Sequence, residues 1–281
     1  MSADDAALAL PAKAEPEAPI AAPALGFRAQ VWLTWASLLL FLLGGLGHLG
    51  LDYGLIGAKL PFLLGLRLSP SGFVQGVVLT LFVTALSMSA ALALAVLTAL
   101  GRTSRNPVAF AVATFYASFF RGTPLLVQVL LIYLALPQFG IVLSALTSGV
   151  MALSLNYAAY LAETIRAGLS SVPRGQREAA AALGLSKLCV GMLIVAPQAM
   201  RIIIPPAGAQ FVSMLKDSSL VSLMGLWELN FLAQSYGRST YHYMEMLLTA
   251  AFLYWALSIV FEIVQHRLEV RFGRADGAPK A

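Results

Sequence analysis

Charge is scarce in this 281-residue chain: Asp, Glu, Lys and Arg make up 11% of it, where ordinary globular domains carry about 25%. Beside 59% hydrophobic residues, that scarcity excludes a soluble globular domain. Cysteine is limited to Cys189, which excludes an internal disulfide and a thiolate metal cage. Three scattered histidines form no constellation, and no Ser/His/Asp arrangement or carboxylate pair falls within the apolar runs. No catalytic residue and no metal ligand is therefore assigned, and no cofactor bound by this chain is expected. A G-x-x-x-x-G-K-[ST] phosphate loop is also missing, so ATP-driven work by this chain needs a second polypeptide. The net charge of +5 raises nucleic acid as a partner. The basic residues, however, are dispersed beside apolar runs, where membrane topology accounts for them better and no nucleic-acid partner is expected.

What the chain does have is apolar runs longer than about 18 residues, the signature of helices that cross a bilayer. Six spans are read at about 31–50, 73–100, 110–136, 142–166, 188–210 and 246–266. The expected class is an all-α polytopic membrane protein. Residues 1–26 are rich in Ala and Pro, lack aromatics and cannot bury enough surface to fold, so 1–30 is read as a disordered cytoplasmic tail. The run from Val31 is about 20 residues long with no A-x-A-like site after it, which favours an uncleaved span over a signal peptide. That span and its periplasmic linker occupy 31–71, the main membrane domain 72–266, and a cytoplasmic tail 267–281. With the N-terminus inside, the cytoplasmic segments hold Lys13, Arg28, Arg102, Arg105, Arg166, Arg174, Arg177, Lys187, Arg267, Arg271, Arg274 and Lys280. The outer segments hold Lys59, Arg67, Lys216 and Arg238, with Arg121 and Arg201 unassigned. This asymmetry places both termini in the cytoplasm, on the membrane lipid's inner side.

Residues 173–197, PRGQREAAAALGLSKLCVGMLIVAP, interrupt the spans with a polar, alanine-rich stretch. A short cytoplasmic helix is expected near 173–187, with Pro173 at its start and Gln176 and Glu178 early, where the macrodipole favours acidic groups. Ala179 to Ala182 have little side-chain bulk, so a partner's surface can approach the backbone closely. Gly184 allows a sharp return toward the membrane. An amphipathic helix lying on lipid headgroups is the alternative, and it would prefer large apolar anchors on one face.

Polar groups inside spans are costly there and are candidates for function. Gln128, Asn156 and Gln210 can hydrogen-bond a polar cargo or tie helices together, and Ser213 follows close behind Gln210. Pro205 and Pro206 remove two backbone donors near Arg201 and Ile202, a helix break that lipid cannot repair and that points either to the wall of a path or to a structural kink packed against neighbouring helices. In Phe120-Arg121-Gly122-Thr123-Pro124 a new helix is expected at Pro124, with Thr123 as its cap. Glu163 and Arg166, three apart, are expected to pair. Lys216 and Asp217 read as an ordinary interfacial pair.

The pattern Glu178-Ala179-Ala180, three residues, Gly184, nine residues, Ile194, then Ala196-Pro197 resembles the EAA loop of permease subunits of bacterial binding-protein-dependent ABC importers. GVVLTL (76–81), FRGTPLLVQVLLIY (120–133), AAYLAETIRAGLSSVPRGQREAAAALGLS (158–186) and PPAGAQFVSMLKDSSLVSLMGLWEL (205–229) extend the resemblance over 72–265, toward the polar amino acid branch. Ala196 departs from the family's usual Leu, a mild loss of volume. The resemblance implies a type I ABC importer permease fold with five core spans, to which 31–50 is an extra N-terminal addition. It implies a bacterial inner-membrane protein with two ATPase subunits using the ATP. A periplasmic or lipid-anchored amino-acid-binding protein and a second permease, identical or not, complete the set. Coupling would run through Arg174, Gln176, Glu178, Ala179, Ala180 and Gly184. The alternative class is a secondary transporter driven by an ion gradient, which would favour inverted repeats and acidic residues deep in spans. No convincing repeat is present.

Overall fold

The computed structural model describes residues 25–69 and 72–273. The expected tail over 1–24 and the basic residues Lys13, Arg274 and Lys280 lie outside them. Two units separate at Gly50, and the first contains α1, Leu25–Gly47. This helix is apolar all round, with Trp32, Leu40 and Phe41 at 70–82% exposure, as expected of a helix whose solvent is hydrocarbon.

The second unit holds α2 (Tyr53–Leu63), α3 (Gly76–Thr103), α4 (Pro107–Gly122), α5 (Leu125–Leu130), α6 (Ala145–Ser171), α7 (Arg174–Ala182), α8 (Lys187–Cys189), α9 (Ala196–Asp217), α10 (Leu229–Thr240) and α11 (Tyr243–Gly273). A π-helical turn, Leu131–Ala135, extends α5, and another, Val190–Val195, joins α8 to α9. Among the described residues the only strand-like pairing is a single bridge between Gly76 and Glu228. Four helical segments, 29–47, 76–103, 187–224 and 243–271, are long and apolar enough to cross a membrane. The bent pair 107–122 and 125–139 makes a fifth. The expected span at 142–166 corresponds to α6, which at 27 residues is about 40 Å long. It falls short on apolarity because Ser148, Ser154, Asn156, Glu163 and Arg166 ride on it. It can carry them because it is the central helix: Ala152, Leu153, Ala158, Ala159, Leu161 and Ala162 are all fully buried.

Small residues allow that central position, since helices in lipid associate through close van der Waals packing. Ala91, Ala95 and Ala99 recur every four residues on α3 and share a core with Ala152, Ala158 and Ala162 of α6. Gly168 lets α6 meet α9: a Cβ there would stand 2.4 Å from the Ile203 side chain. Pro205 and Pro206 do not end α9, which runs on to Asp217. Instead the Gln265 amide of α11 donates to the Pro205 carbonyl at 3.2 Å.

At the far end, Glu228 caps α10 and is fully buried. Its carboxylate accepts from the backbone N–H groups of Phe231 (2.7 Å) and Asn230 (2.9 Å) and from the Tyr254 hydroxyl (2.8 Å), with the Thr80 hydroxyl at 3.5 Å. One side chain thus joins α3, α10 and α11. Gly76 N donates to Trp227 O at 2.9 Å beside it. Gly76 is at φ +59°, and a Cβ there would lie 2.2 Å from the Leu63 carbonyl, so only glycine fits this corner. Burial pushes the Glu228 carboxyl up to about 7 from its ordinary 4.5, against the opposing pull of these donors. The folded protein therefore holds a proton there that the unfolded chain releases between those two values, and stability falls as pH rises through that window. In detergent, the melting temperature should decline from pH 4.5 to 7, and Glu228→Gln, which stays neutral, should flatten the decline. An equally steep slope in the variant would assign it to other groups.

Candidate functional site

The bend between α4 and α5 is 105°, and two buried amides hold it. Ending α4 at Gly122 leaves carbonyls without intrahelical donors. Gln128 Nε2 donates to Phe120 O at 2.9 Å, Thr123 O at 3.1 Å and Thr123 Oγ1 at 2.7 Å. Asn156 Nδ2, from α6, donates to Phe120 O and to Gln128 Oε1, both at 3.1 Å. Thr123 does not cap the new helix: its hydroxyl turns back to Phe119 O at 2.9 Å, and Pro124 takes the N-cap position with no side-chain bond. The Thr123 hydroxyl instead serves a carbonyl in the last turn of α4, where the backbone acceptors lack intrahelical donors.

Around this bend three clefts meet. The first, about 440 Å³, is bordered by Arg121, Thr123, Asn156, Tyr157, Gln210 and Asp217. The second, about 340 Å³, is bordered by Glu163, Thr164, Ala167, Ile202, Pro206 and Gln210, and the third, about 420 Å³, by Arg102, Thr114 and Ser118. Arg121 and Tyr160 border all three. Asp217 accepts from the Tyr157 hydroxyl at 2.7 Å. Glu163 is bonded by Arg102 of α3 and Arg166 of its own helix, and Arg121 of α4 stands 3.7 Å away. The first cleft therefore offers a cation and a carboxylate, with amide and hydroxyl groups between them. That donor set suits a small zwitterionic solute.

Of the expected path residues, Asn156 and Gln210 line the first cleft, and Gln210 the second as well. Gln128 is buried and committed to the bend, and Ser213 is exposed and borders neither cleft. The expected Glu163–Arg166 pair forms, within a larger cluster. Asp217 is no interfacial group: the chain continues past it as a 3-10 turn, Ser218–Met224, that packs into the bundle. Arg121, Tyr157, Tyr160 and Asp217 went unassigned or misassigned because their partners lie 39 to 60 residues away. Their one legible signal was polarity inside a span.

The polar stretch after α6 forms α7, which ends at Ala182 rather than near 187. Gly184, at φ +77°, makes the turn, and Ser186 caps α8 by accepting from Cys189 N at 3.2 Å. Arg174, Gln176, Glu178, Ala179, Ala181 and Ala182 are exposed. Ala180 is not: it is buried in a cluster with Val172, Val190, Val195, Ala199 and Ile203, where α7 packs on the π-helical turn Val190–Val195 that leads into α9. Arg177 donates to the Leu169 carbonyl at the end of α6. The helix is thus tied to α6 directly and to α9 through that turn.

A family model described as the binding-protein-dependent transport system inner membrane component matches residues 91–274. The arginine transport system permease protein ArtQ of Bacillus subtilis (strain 168) is 33% identical over 224 residues, 79% of this chain and 97% of that protein. The L-cystine transport system permease protein TcyB of the same organism is 39% identical over 200 residues, 71% of this chain and 86% of that one. Among solved structures, an amino acid ABC transporter with histidines superposes with a TM-score of 0.71 at 35% identity, covering 79% of this chain and all of that one. The MetNI methionine ABC transporter shares the fold, with a TM-score of 0.58 at 19% identity over 69% of this chain and 92% of that one.

Removing the Gln128 amide takes one donor from each of the Phe120 and Thr123 carbonyls at the part-buried turn. Gln128→Leu should lower stability by about 1–3 kcal/mol, the cost of an unsatisfied buried polar group. Thermal denaturation in detergent measures it, and an unchanged midpoint would remove the amide's bracing role.

Proposed function

This chain belongs to the binding-protein-dependent transport system inner membrane components, and on that premise we propose how it moves a polar amino acid. It is a multi-pass inner-membrane permease subunit of an amino-acid ABC importer. The cargo passes along the clefts beside α6, with its charged ends met by Arg121 and Asp217. Asn156 and Gln210 supply neutral hydrogen bonds between them. Gln128 acts by holding the bend open, and Ser213 stands beside the path. The relatives named for arginine and cystine, and the structure described with histidines, support a cargo that is an amino acid with a polar side chain.

Energy comes from two copies of a separate ATPase that grip α7. The exposed face of Arg174, Gln176, Glu178 and Ala179 meets the ATPase, and Ala180 transmits its movement inward to α9. Gly184 sets the angle at which α7 leaves the membrane. An amino-acid-binding protein delivers the cargo outside, and a second permease subunit completes the path. Both termini lie in the cytoplasm, and α1 is an N-terminal addition to the five core spans. The observation that carries the coupling is a shared root. Tyr157, Tyr160 and Glu163 of the cleft wall ride on α6, and two residues beyond its end α7 begins. A push on α7 therefore acts directly on the cleft's central wall.

In vesicles holding the assembled transporter, Glu178→Lys and Gly184→Val should cut uptake of arginine, glutamine and histidine at least tenfold. ATP hydrolysis should persist and the chain should still insert. Normal uptake in both variants would remove α7 from the coupling route. Uptake that survives ATP depletion under a maintained proton gradient would establish the ion-driven alternative.

A further inference from the structure

Arg121 sits where the cleft containing Asp217 meets the cleft containing Glu163, and its guanidinium lies 5.5 Å from the centre of the Tyr160 ring. The Tyr160 hydroxyl in turn faces the Arg121 carbonyl at 3.5 Å. These two side chains, with Gln210, form the boundary shared by both clefts.

The charges around Glu163 are unequal. One carboxylate faces three guanidiniums, and Arg102 and Arg166 already occupy its two oxygens through direct hydrogen bonds. Arg121 stands farther off at 3.7 Å and is also the most exposed of the three, 41% against 19% and 36%. Its positive charge is surplus to what Glu163 can neutralise. An exposed ion pair and a cation–ring contact both bind weakly, so little holds Arg121 where it is. A free carboxylate offers a guanidinium two parallel hydrogen bonds, a stronger match than either present contact.

We propose that Arg121 is a swinging partition between the two clefts: it rests on Glu163 and Tyr160 in this structure and turns to the α-carboxylate of a cargo entering beside Asp217, so that the cargo's own carboxylate opens the way onward. This rests on the cargo path described above. A solute with an ammonium group but no carboxylate would meet Asp217 and leave the partition shut. The partition therefore selects for amino acids over the corresponding amines, whatever their side chain. Tyr160 is a positioning residue, the surface against which the guanidinium is parked.

The test uses the full chain in right-side-out membrane vesicles, with Cys189→Ser removing the native thiol. Leu125→Cys reports on the first cleft and Ala167→Cys on the second, and a charged methanethiosulfonate is added outside. Leu125→Cys should react throughout. Ala167→Cys should be protected while Arg121 is present, react at least ten times faster with Arg121→Ala, and show an intermediate rate with Arg121→Lys, which keeps the charge without the planar group. Millimolar L-arginine, L-glutamine and L-histidine together should also speed Ala167→Cys labelling, while agmatine, 4-aminobutanamide and histamine should not. Equal Ala167→Cys rates with Arg121 and Arg121→Ala would overturn the partition. Equal rates with amino acids and amines would overturn its opening by the carboxylate. If Leu125→Cys never reacts, the cargo path itself is wrong and the partition falls with it.

Discussion

Lipid offers no hydrogen bonds, so each backbone group exposed by an irregularity inside the membrane must find its partner within the protein. The sharp bend between α4 and α5 is the largest such irregularity here, and the other features of the site follow from how it is repaired. Gln128 and Asn156 converge on Phe120 O and on each other. Once the carbonyls are satisfied, the chain can turn through 105° and leave a polar recess at the turn. Asn156 also shows that the repair needs α6, since one of the two amides comes from it. The recess and the packing of α6 therefore form together.

That packing sets the second condition. Alanines on α3 and α6, with Gly168 opposite Ile203, bring α6 close enough to its neighbours to serve as a wall for the clefts. A helix so enclosed can carry polar side chains that a lipid-facing helix cannot, because neighbours instead of hydrocarbon surround them. This is why a long helix as polar as α6 can also be the central one. Continuity into α7 then ties the wall to the polar helix that follows it.

Local chemistry was legible in the residues, and long-range pairing was not. The bend announced itself in Gly122-Thr123-Pro124, and the turn after α7 in Gly184, because each depends on the conformational range of residues at that point. The helical class followed from the apolar runs, and the Glu163–Arg166 pair from its spacing. Asp217 was misread because its role depends on Tyr157, 60 residues away, and on the chain continuing as a 3-10 turn that packs into the bundle. Ala180 was read with its neighbours as outward-facing, yet in a nine-residue helix lying against the turn Val190–Val195 one alanine must face inward. Pro205 and Pro206 were read as a break, yet α9 runs on through them to Asp217, and the Gln265 amide of α11 meets the Pro205 carbonyl, a partner no local pattern reveals.

The two prolines leave one further constraint. Without its N–H group, Pro206 gives the Ile202 carbonyl, four residues earlier, no i+4 donor. Gln265 serves the carbonyl of Pro205 instead. Ile202 and Pro206 both border the cleft that holds Glu163. A dry cleft would leave the Ile202 acceptor unsatisfied beside a cluster of charges that also needs solvation, and both costs fall when water enters. A polar solute passing through the cleft that holds Glu163 would then meet the hydration that lipid denies.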